Sequence, residues 1–160
     1  MNPIAYIALG SNLQDPATQI RRAFDEIAAL PGVRLVRASS LYRTAPVGYD
    51  DQPDFINAVA EVSTTLTPQA LLRAILDIEN RRGRERPFPN APRVLDLDLL
   101  LYDDLILDSA ELTLPHPRMH QRGFVLLPLA EIAPQRMIPG EGLVSALASQ
   151  VHSQDIEKLA

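Results

Sequence analysis

The chain has 160 residues, enough for one ordinary domain with a substantial core, and its 46% hydrophobic and 22% charged content is that of a globular protein, not a disordered one. A formal net charge of −5 makes nucleic acid an unfavourable partner for the overall field. With no cysteine, neither a disulfide framework nor a thiolate metal site can be built.

Ile4 to Leu9 (I-A-Y-I-A-L) reads as a largely buried strand ending at Gly10-Ser11-Asn12. Asp15-Pro16 then supplies an N-cap and a first-turn proline for a helix with Ile20, Phe24 and Ile27 on its core side, stopped by Pro31-Gly32. Val33 to Tyr42 reads as a strand, Arg43 to Gly48 as a loop, and Phe55 to Thr64 as another strand. Thr67-Pro68 opens a second helix, with Leu71, Leu72, Ile75 and Ile78 facing inward, that closes at Gly83. The stretch 84–92 is broken by three prolines and can be neither helix nor central strand. Arg93 to Tyr102 (R-V-L-D-L-D-L-L-L-Y) is a strong strand, and shorter helices are expected near Val125 to Ile132 and Leu143 to Gln150. Two long helices among several strands, without the alternation of a doubly wound sheet, predict an α+β, ferredoxin-like α/β sandwich with a mainly antiparallel sheet. The chain reads as one domain over 1–160. It has no long apolar run and no signal-peptide pattern at Met1-Asn2-Pro3-Ile4, so the expectation is a cytoplasmic protein without membrane contact.

The basic residues are unevenly made and placed. Lys158 is the sole lysine among 15 Lys plus Arg, and seven arginines (Arg81, Arg82, Arg84, Arg86, Arg93, Arg118, Arg122) fall between 81 and 122. Such a cluster is either a solvated basic surface or a grip for an anionic ligand, since guanidinium pairs with phosphate oxygens in a planar fork. Without a suitably placed lysine, neither a P-loop nor a protein-kinase strand lysine can be present.

Alternation along the last strong strand puts Leu95, Leu97, Leu99 and Leu101 on one face and Asp96 and Asp98 on the other, with their Cα atoms about 6.5–7 Å apart. Two carboxylates so placed either converge on a hard cation such as Mg²⁺ or form the polar side of a half-exposed strand. In Phe55-Ile56-Asn57 a ring and an amide share one face, which suits either a flat nitrogen-rich heterocycle or an ordinary core position. His116 and His120 have a zinc-helix spacing, but Pro115 and Pro117 break the helix and no Glu follows His116, so a phosphate-contacting or loop histidine is expected. Asp25, Asp50, Asp51 and Asp54 read as solvated acids, and His152 needs no role.

Taken in order, Tyr6-Ile7-Ala8-Leu9-Gly10-Ser11-Asn12-Leu13, Ser40-Leu41-Tyr42-Arg43-Thr44 with Pro46, Asp51-Gln52-Pro53 with Asn57, Ile78-Glu79, Gly83-Arg84, Pro92-Arg93, Leu95-Asp96-Leu97-Asp98, Pro115-His116, and Arg122-Gly123-Phe124 with Pro128-Leu129 form one series. The series resembles the 6-hydroxymethyl-7,8-dihydropterin pyrophosphokinase family nearly end to end. The resemblance implies that a pterin hydroxymethyl oxygen attacks the β-phosphorus of ATP and AMP leaves. It implies two Mg²⁺ ions on Asp96 and Asp98, with Arg84 and Arg93 also catalytic. Glu79, Arg84, Arg86, Arg93, Thr113, His116 and Arg122 would serve ATP. Phe55 and Phe124 would sandwich the pterin, with Asn57 and groups near Thr44 and Val47 reading its edge. The implied partners are these two small molecules, and a monomer is expected. The chain departs from many relatives in having no tryptophan before the Asp-Leu-Asp strand, where Phe88 stands in a proline-broken loop expected to close as a lid, and in having Pro117 after the histidine. Two rival readings are another Mg-ATP phosphotransferase that releases ADP and a non-catalytic nucleotide-binding module.

Overall fold

The computed structural model describes residues 2–13, 15–45, 53–81, 94–151 and 156–159. A central six-stranded sheet is built from β1 (Ile4–Ser11), β2 (Val33–Ala38), β3 (Tyr42–Thr44), β4 (Phe55–Thr64), β5 (Asp96–Tyr102) and β10 (Ile156–Lys158). The order is β10-β3-β4-β1-β5, with β2 also on β4, and every pairing is antiparallel. Two helices, α1 (Pro16–Ala28) and α2 (Pro68–Arg81), cover one face, which makes the fold the expected ferredoxin-like α+β sandwich. The other face carries α3 (Gly123–Ile132) and α4 (Val144–Ala148). Two small ribbons complete the chain, β6 (Leu107–Asp108) with β7 (Thr113–Leu114), and β8 (Met137–Ile138) with β9 (Gly142–Leu143). No helix among the described residues is long and apolar enough to cross a membrane.

The two helical layers form for different reasons. Both α1 and α2 are amphipathic: Ile20, Ala23 and Ile27 of one and Leu71, Ile75 and Ile78 of the other pack on Ile7, Leu9, Ala58 and Leu97 of the sheet. By contrast α3 (G-F-V-L-L-P-L-A-E-I) is apolar nearly all round, with Glu131 its single charged residue, and buries Val125, Leu126, Leu129 and Ile132 against Val59, Leu100 and Leu101. At the start of α2, Thr67 caps the helix, its Oγ1 accepting from the Ala70 amide at 3.1 Å. Asp15 does not cap α1: its backbone is left-handed (φ 61°), and its carboxylate accepts from the Thr18 hydroxyl at 2.8 Å.

Besides the Asp15 cap, three sequence expectations are corrected. The single strand expected from Val33 to Tyr42 is two strands. The Ser39 amide still donates to the Val59 carbonyl (2.9 Å), but its hydroxyl accepts from the Val59 amide (2.9 Å) and the Ser40 amide donates to Glu131, so side-chain bonds take over part of the ladder at the break. Arg43 and Thr44, expected in a loop, pair with Ile56 and Phe55 as part of β3. Leu101 does not share the face of Leu97 and Leu99. Tyr6 pairs with Leu101 and Ile7 with Leu99, so Leu100 is an extra residue, and this bulge turns Leu101 into the core under α3. The expected close of α2 at Gly83 lies outside the described residues.

Candidate active site

Strand register assembles the site. Tyr42 lies opposite Asn57, Asn57 opposite Gly10, and Gly10 opposite Asp96, so the four form one row across β3, β4, β1 and β5. The next row on that face is Val59, Ala8 and Asp98. Alternation then sends Phe55, Asn57, Asp96 and Asp98 to the α3 side of the sheet, while Ile56, Ala58, Leu97 and Leu99 fill the core under α1 and α2. Asn57 and Thr44 are buried, and the Asn57 amide donates from Nδ2 to Thr44 Oγ1 at 2.9 Å. Phe55, Asp96 and Asp98 are half-buried.

A cleft of about 290 Å³ runs along β5, the last strand on its side of the sheet. Asp96, Asp98, Glu79, Thr113 and His116 all line it, with Leu72 and Leu76 on the wall formed by α2. Glu79 is almost fully buried, and its Oε2 accepts from the Leu97 amide at 2.5 Å, which anchors the strand between the two aspartates. His116 is held by its backbone, its amide donating to the Leu100 carbonyl at the bulge (2.9 Å), directly after the cis-bonded Pro115. Burial pushes the His116 imidazole down to about 4, helped by Arg122 and Arg118 and opposed by Asp96. Its Nδ1 accepts from the Arg118 amide at 3.3 Å, so the neutral ring carries its proton on Nε2.

Of the residues singled out from the sequence, Glu79, Asp96, Asp98, Thr113 and His116 meet in this one cleft, and Thr44, Phe55 and Asn57 lie together on β3 and β4. Phe124, in the first turn of α3, packs on the core of the same sheet face. The Arg122 guanidinium lies over the Phe124 ring, 5.5 Å from its centroid. Val47, Arg84, Arg86 and Arg93 lie outside the described residues, as do Asp50, Asp51, His152, Phe88 and the expected lid over 84–92. Asp25 and Asp54 are exposed acids, as expected. His120 sits in a single 3₁₀ turn with its Nε2 3.0 Å from Glu141 Oε2.

Sequence reading named Glu79 for the site and Leu72 for the core but missed Leu76, and with it the wall that the three form on α2. Leu72, Leu76 and Glu79 are spaced i, i+4, i+7, a second helical stripe beside the core stripe, and that spacing was the available signal. It also missed Asn12, whose Nδ2 donates to the Pro53 carbonyl (3.1 Å) and ties the end of β1 to the entry of β4.

The donor set is hard oxygen. Among the described residues no group of three or more His, Asp and Glu side chains is arranged to hold a metal ion. Two half-buried carboxylates on one strand face still fit Mg²⁺, which commonly takes only one or two protein carboxylates and fills its remaining positions with phosphate oxygens and water.

The architecture and this cleft define a ferredoxin-like α+β protein whose acidic site lies along an edge strand. Residues 6–134 match the model of the 7,8-dihydro-6-hydroxymethylpterin-pyrophosphokinase family, and the chain belongs to that family. It is 44% identical over 155 residues to the 2-amino-4-hydroxy-6-hydroxymethyldihydropteridine pyrophosphokinase of Haemophilus influenzae, covering 97% of each chain. The Bacillus subtilis protein of the same name is 47% identical over 135 residues, covering 84% of this chain and 81% of that one. Among solved structures, wild-type HPPK-DHPS of Plasmodium falciparum with pteroate aligns with a TM-score of 0.74 at 16% identity, over 96% of this chain and 43% of that one. The chain thus spans less than half of that solved protein, and the likeness there is one of fold.

Proposed function

We infer that Asp96 and Asp98 form the metal-holding floor of a pyrophosphokinase site and that Asn57, Thr44 and the two phenylalanines form its pterin slot. The reaction is that of the family: pyrophosphate passes from ATP to 6-hydroxymethyl-7,8-dihydropterin in folate biosynthesis. The hydroxymethyl oxygen bonds to the β-phosphorus, the bond from that phosphorus to the α–β bridging oxygen breaks, AMP keeps the electron pair, and the hydroxyl proton is lost.

The row Asn57–Gly10–Asp96 carries this reading. It sets an amide suited to a heterocycle edge two strands away from a carboxylate suited to a cation, about 10 Å at the usual strand spacing. A flat bicycle gripped at Asn57 therefore extends toward the aspartates. Asp96 and Asp98 would hold Mg²⁺, two ions by the family resemblance, which would supply neutralisation of phosphate charge and a lowered pKa for the attacking hydroxyl. Neutral His116 offers its Nε2 proton to a phosphate oxygen, with Thr113 beside it in the cleft. Glu79 holds β5, and hence both aspartates, in place through the Leu97 amide. Arg122, with Arg84, Arg86 and Arg93, meets the remaining phosphate charge. Phe55 and Phe124 stack on the pterin, while Asn57 and Thr44, with backbone near Val47, read its edge. Residues 1–160 act as one pyrophosphokinase domain, a monomer in the cytoplasm.

The test is incubation with ATP, Mg²⁺ and the pterin alcohol, followed by identification of the nucleotide released. AMP should accumulate in step with a diphosphorylated pterin. Stoichiometric ADP without AMP would overturn the reading, and turnover undiminished by a chelator would remove the metal from it.

A further inference from the structure

Gly10 is the next-to-last residue of the largely buried strand β1, paired on both sides, and glycine inside a strand normally costs about 0.5–1 kcal/mol relative to alanine. Its backbone does not ask for glycine, because the positive-φ glycines of the described chain are Gly32, Gly140 and Gly142. What glycine provides at this position is space. A Cβ built on Gly10 lies 3.1 Å from Asn57 Oδ1, inside ordinary van der Waals contact.

Asn57 has nowhere easy to retreat. On its far side Nδ2 already donates to Thr44 Oγ1 at 2.9 Å, and both side chains are 6% exposed. The bond and the glycine together orient the amide: its NH₂ is turned toward β3, and its carbonyl oxygen lies over the backbone of Gly10. Next along the row, beyond Gly10, comes Asp96. A side chain at position 10 would thus crowd the Asn57 carbonyl and stand between the amide and the carboxylates.

Resting on the pterin slot proposed above, we infer that Gly10 is a positioning residue that presents the Asn57 carbonyl to an N–H-bearing edge of the pterin and leaves the strip over β1 clear for the ring. Gly10 itself makes no side-chain contact. It acts by what it leaves open, and it concerns the pterin, not the nucleotide.

The experiment is calorimetric titration of the full chain and of Gly10→Ala with 6-hydroxymethylpterin and, separately, with Mg-ATP, alongside thermal melting. The alanine variant should bind the pterin at least about tenfold more weakly, a cost of about 1.4 kcal/mol. Mg-ATP affinity should stay within about twofold, and the melting temperature should fall only slightly, since the better strand preference of alanine offsets part of the crowding at Asn57. A merely structural glycine would instead lower the melting temperature strongly and weaken both ligands together. Pterin affinity within about twofold of the unaltered chain would also overturn the inference.

A second variant separates crowding of Asn57 from any other effect. Asn57→Ser weakens pterin binding by itself and removes the atom that Cβ would meet. Adding Gly10→Ala to it should then cost far less than in the parent. Equal losses in both backgrounds would show that Gly10 does not act through Asn57. If Gly10→Ala alone fails to fold, the double variant should fold again, and failure of both would return Gly10 to the core. Absence of pterin binding by the unaltered chain would remove the slot itself and the inference with it, an outcome distinct from a Gly10→Ala variant that binds normally.

Discussion

Of the two faces of the sheet, the one under α1 and α2 is apolar along β1, β4 and β5 except at strand ends such as Ser11 and Thr64, whereas the one under α3 changes character along its length. Beneath the paired helices, Ala5, Ile7 and Leu9 of β1 continue into Ile56, Ala58, Ala60 and Val62 of β4 and Leu97 and Leu99 of β5. On the opposite face Val59, Leu100 and Leu101 are covered by α3, but Asp98 stands at the end of the Val59 row and the next row carries Asn57 and Asp96. A strand needs one filled face to be held in a core. The first face alone buries enough apolar surface to anchor β1, β4 and β5, so the second can carry groups that would be costly in a packed interior. Neighbouring residues on one strand should therefore fail in opposite ways when altered.

The largest effects are expected from alanine at three consecutive positions. Asp96→Ala and Asp98→Ala should each lower turnover by about a hundredfold or more, the scale on which electrostatic groups act on charge in a transition state. Their ligand-free melting temperature should hold or rise slightly, because two like charges on one face repel. Leu97→Ala, between them and 2% exposed, should cost about 2–5 kcal/mol of stability. Activity per folded molecule should change much less, with Glu79 still bound to the backbone amide at 97. Denaturant melts and turnover on all three variants check this, and loss of stability at Asp96 or Asp98 would make those carboxylates structural.

How far the sequence allowed this contrast to be foreseen follows from what each signal depends on. Alternation in Phe55 to Thr64 and in Leu95 to Leu99 predicted both faces, because a period of two is set by backbone geometry alone. It failed at Leu101, since a bulge depends on how β5 meets β1, information that lies in the partner strand. The break at Ser39–Ser40 was hidden for a similar reason: its bonds reach to Val59 and to Glu131, 20 and 91 residues away. The coverage of the second face was missed because α3 is too evenly apolar to show which side is buried. Asp96, Asp98, His116 and Asn57 were legible as chemistry through ordered motifs. Their convergence is a property of register, and Gly10, having no side chain, showed nothing of its part until Asn57 was seen beside it.

A smaller effect should sharpen the comparison through pH. The His116 imidazole lies at about 4 in the folded chain against an ordinary 6.5. As pH falls, the unfolded chain therefore takes up this proton first. The residue's neutral burial costs nothing in proton uptake above 6.5, and stability is lost progressively as pH falls toward 4. His116→Gln should flatten that part of the acid limb of the melting temperature, by less than the full shift because the ring is partly solvated. An unchanged limb would mean that the cleft does not desolvate His116.

The smallest effect is expected at Tyr42, which stands in the site row opposite Asn57 but turns its hydroxyl away to α3. Its OH donates to Glu131 Oε1 at 2.8 Å, while the Ser40 amide and hydroxyl bond the same carboxylate at 2.9–3.1 Å. Burial and that hydrogen bond hold the Tyr42 phenol well above its ordinary value, so it stays a donor at any physiological pH. Burial pushes the Glu131 carboxyl up, but the bonds from Tyr42 and Ser40 bring it below its ordinary value, so it stays an acceptor. Glu131 is exposed, and water can take the place of a lost partner. Tyr42→Phe should therefore cost only about 1 kcal/mol, or about 2–4 °C in melting temperature for a chain of this length. Turnover and pterin affinity should stay within about twofold, because the ring keeps its place beside Asn57. A stable Tyr42→Phe variant with turnover reduced about tenfold would move the phenol from the α3 anchor into the pterin slot, beside Thr44 on β3.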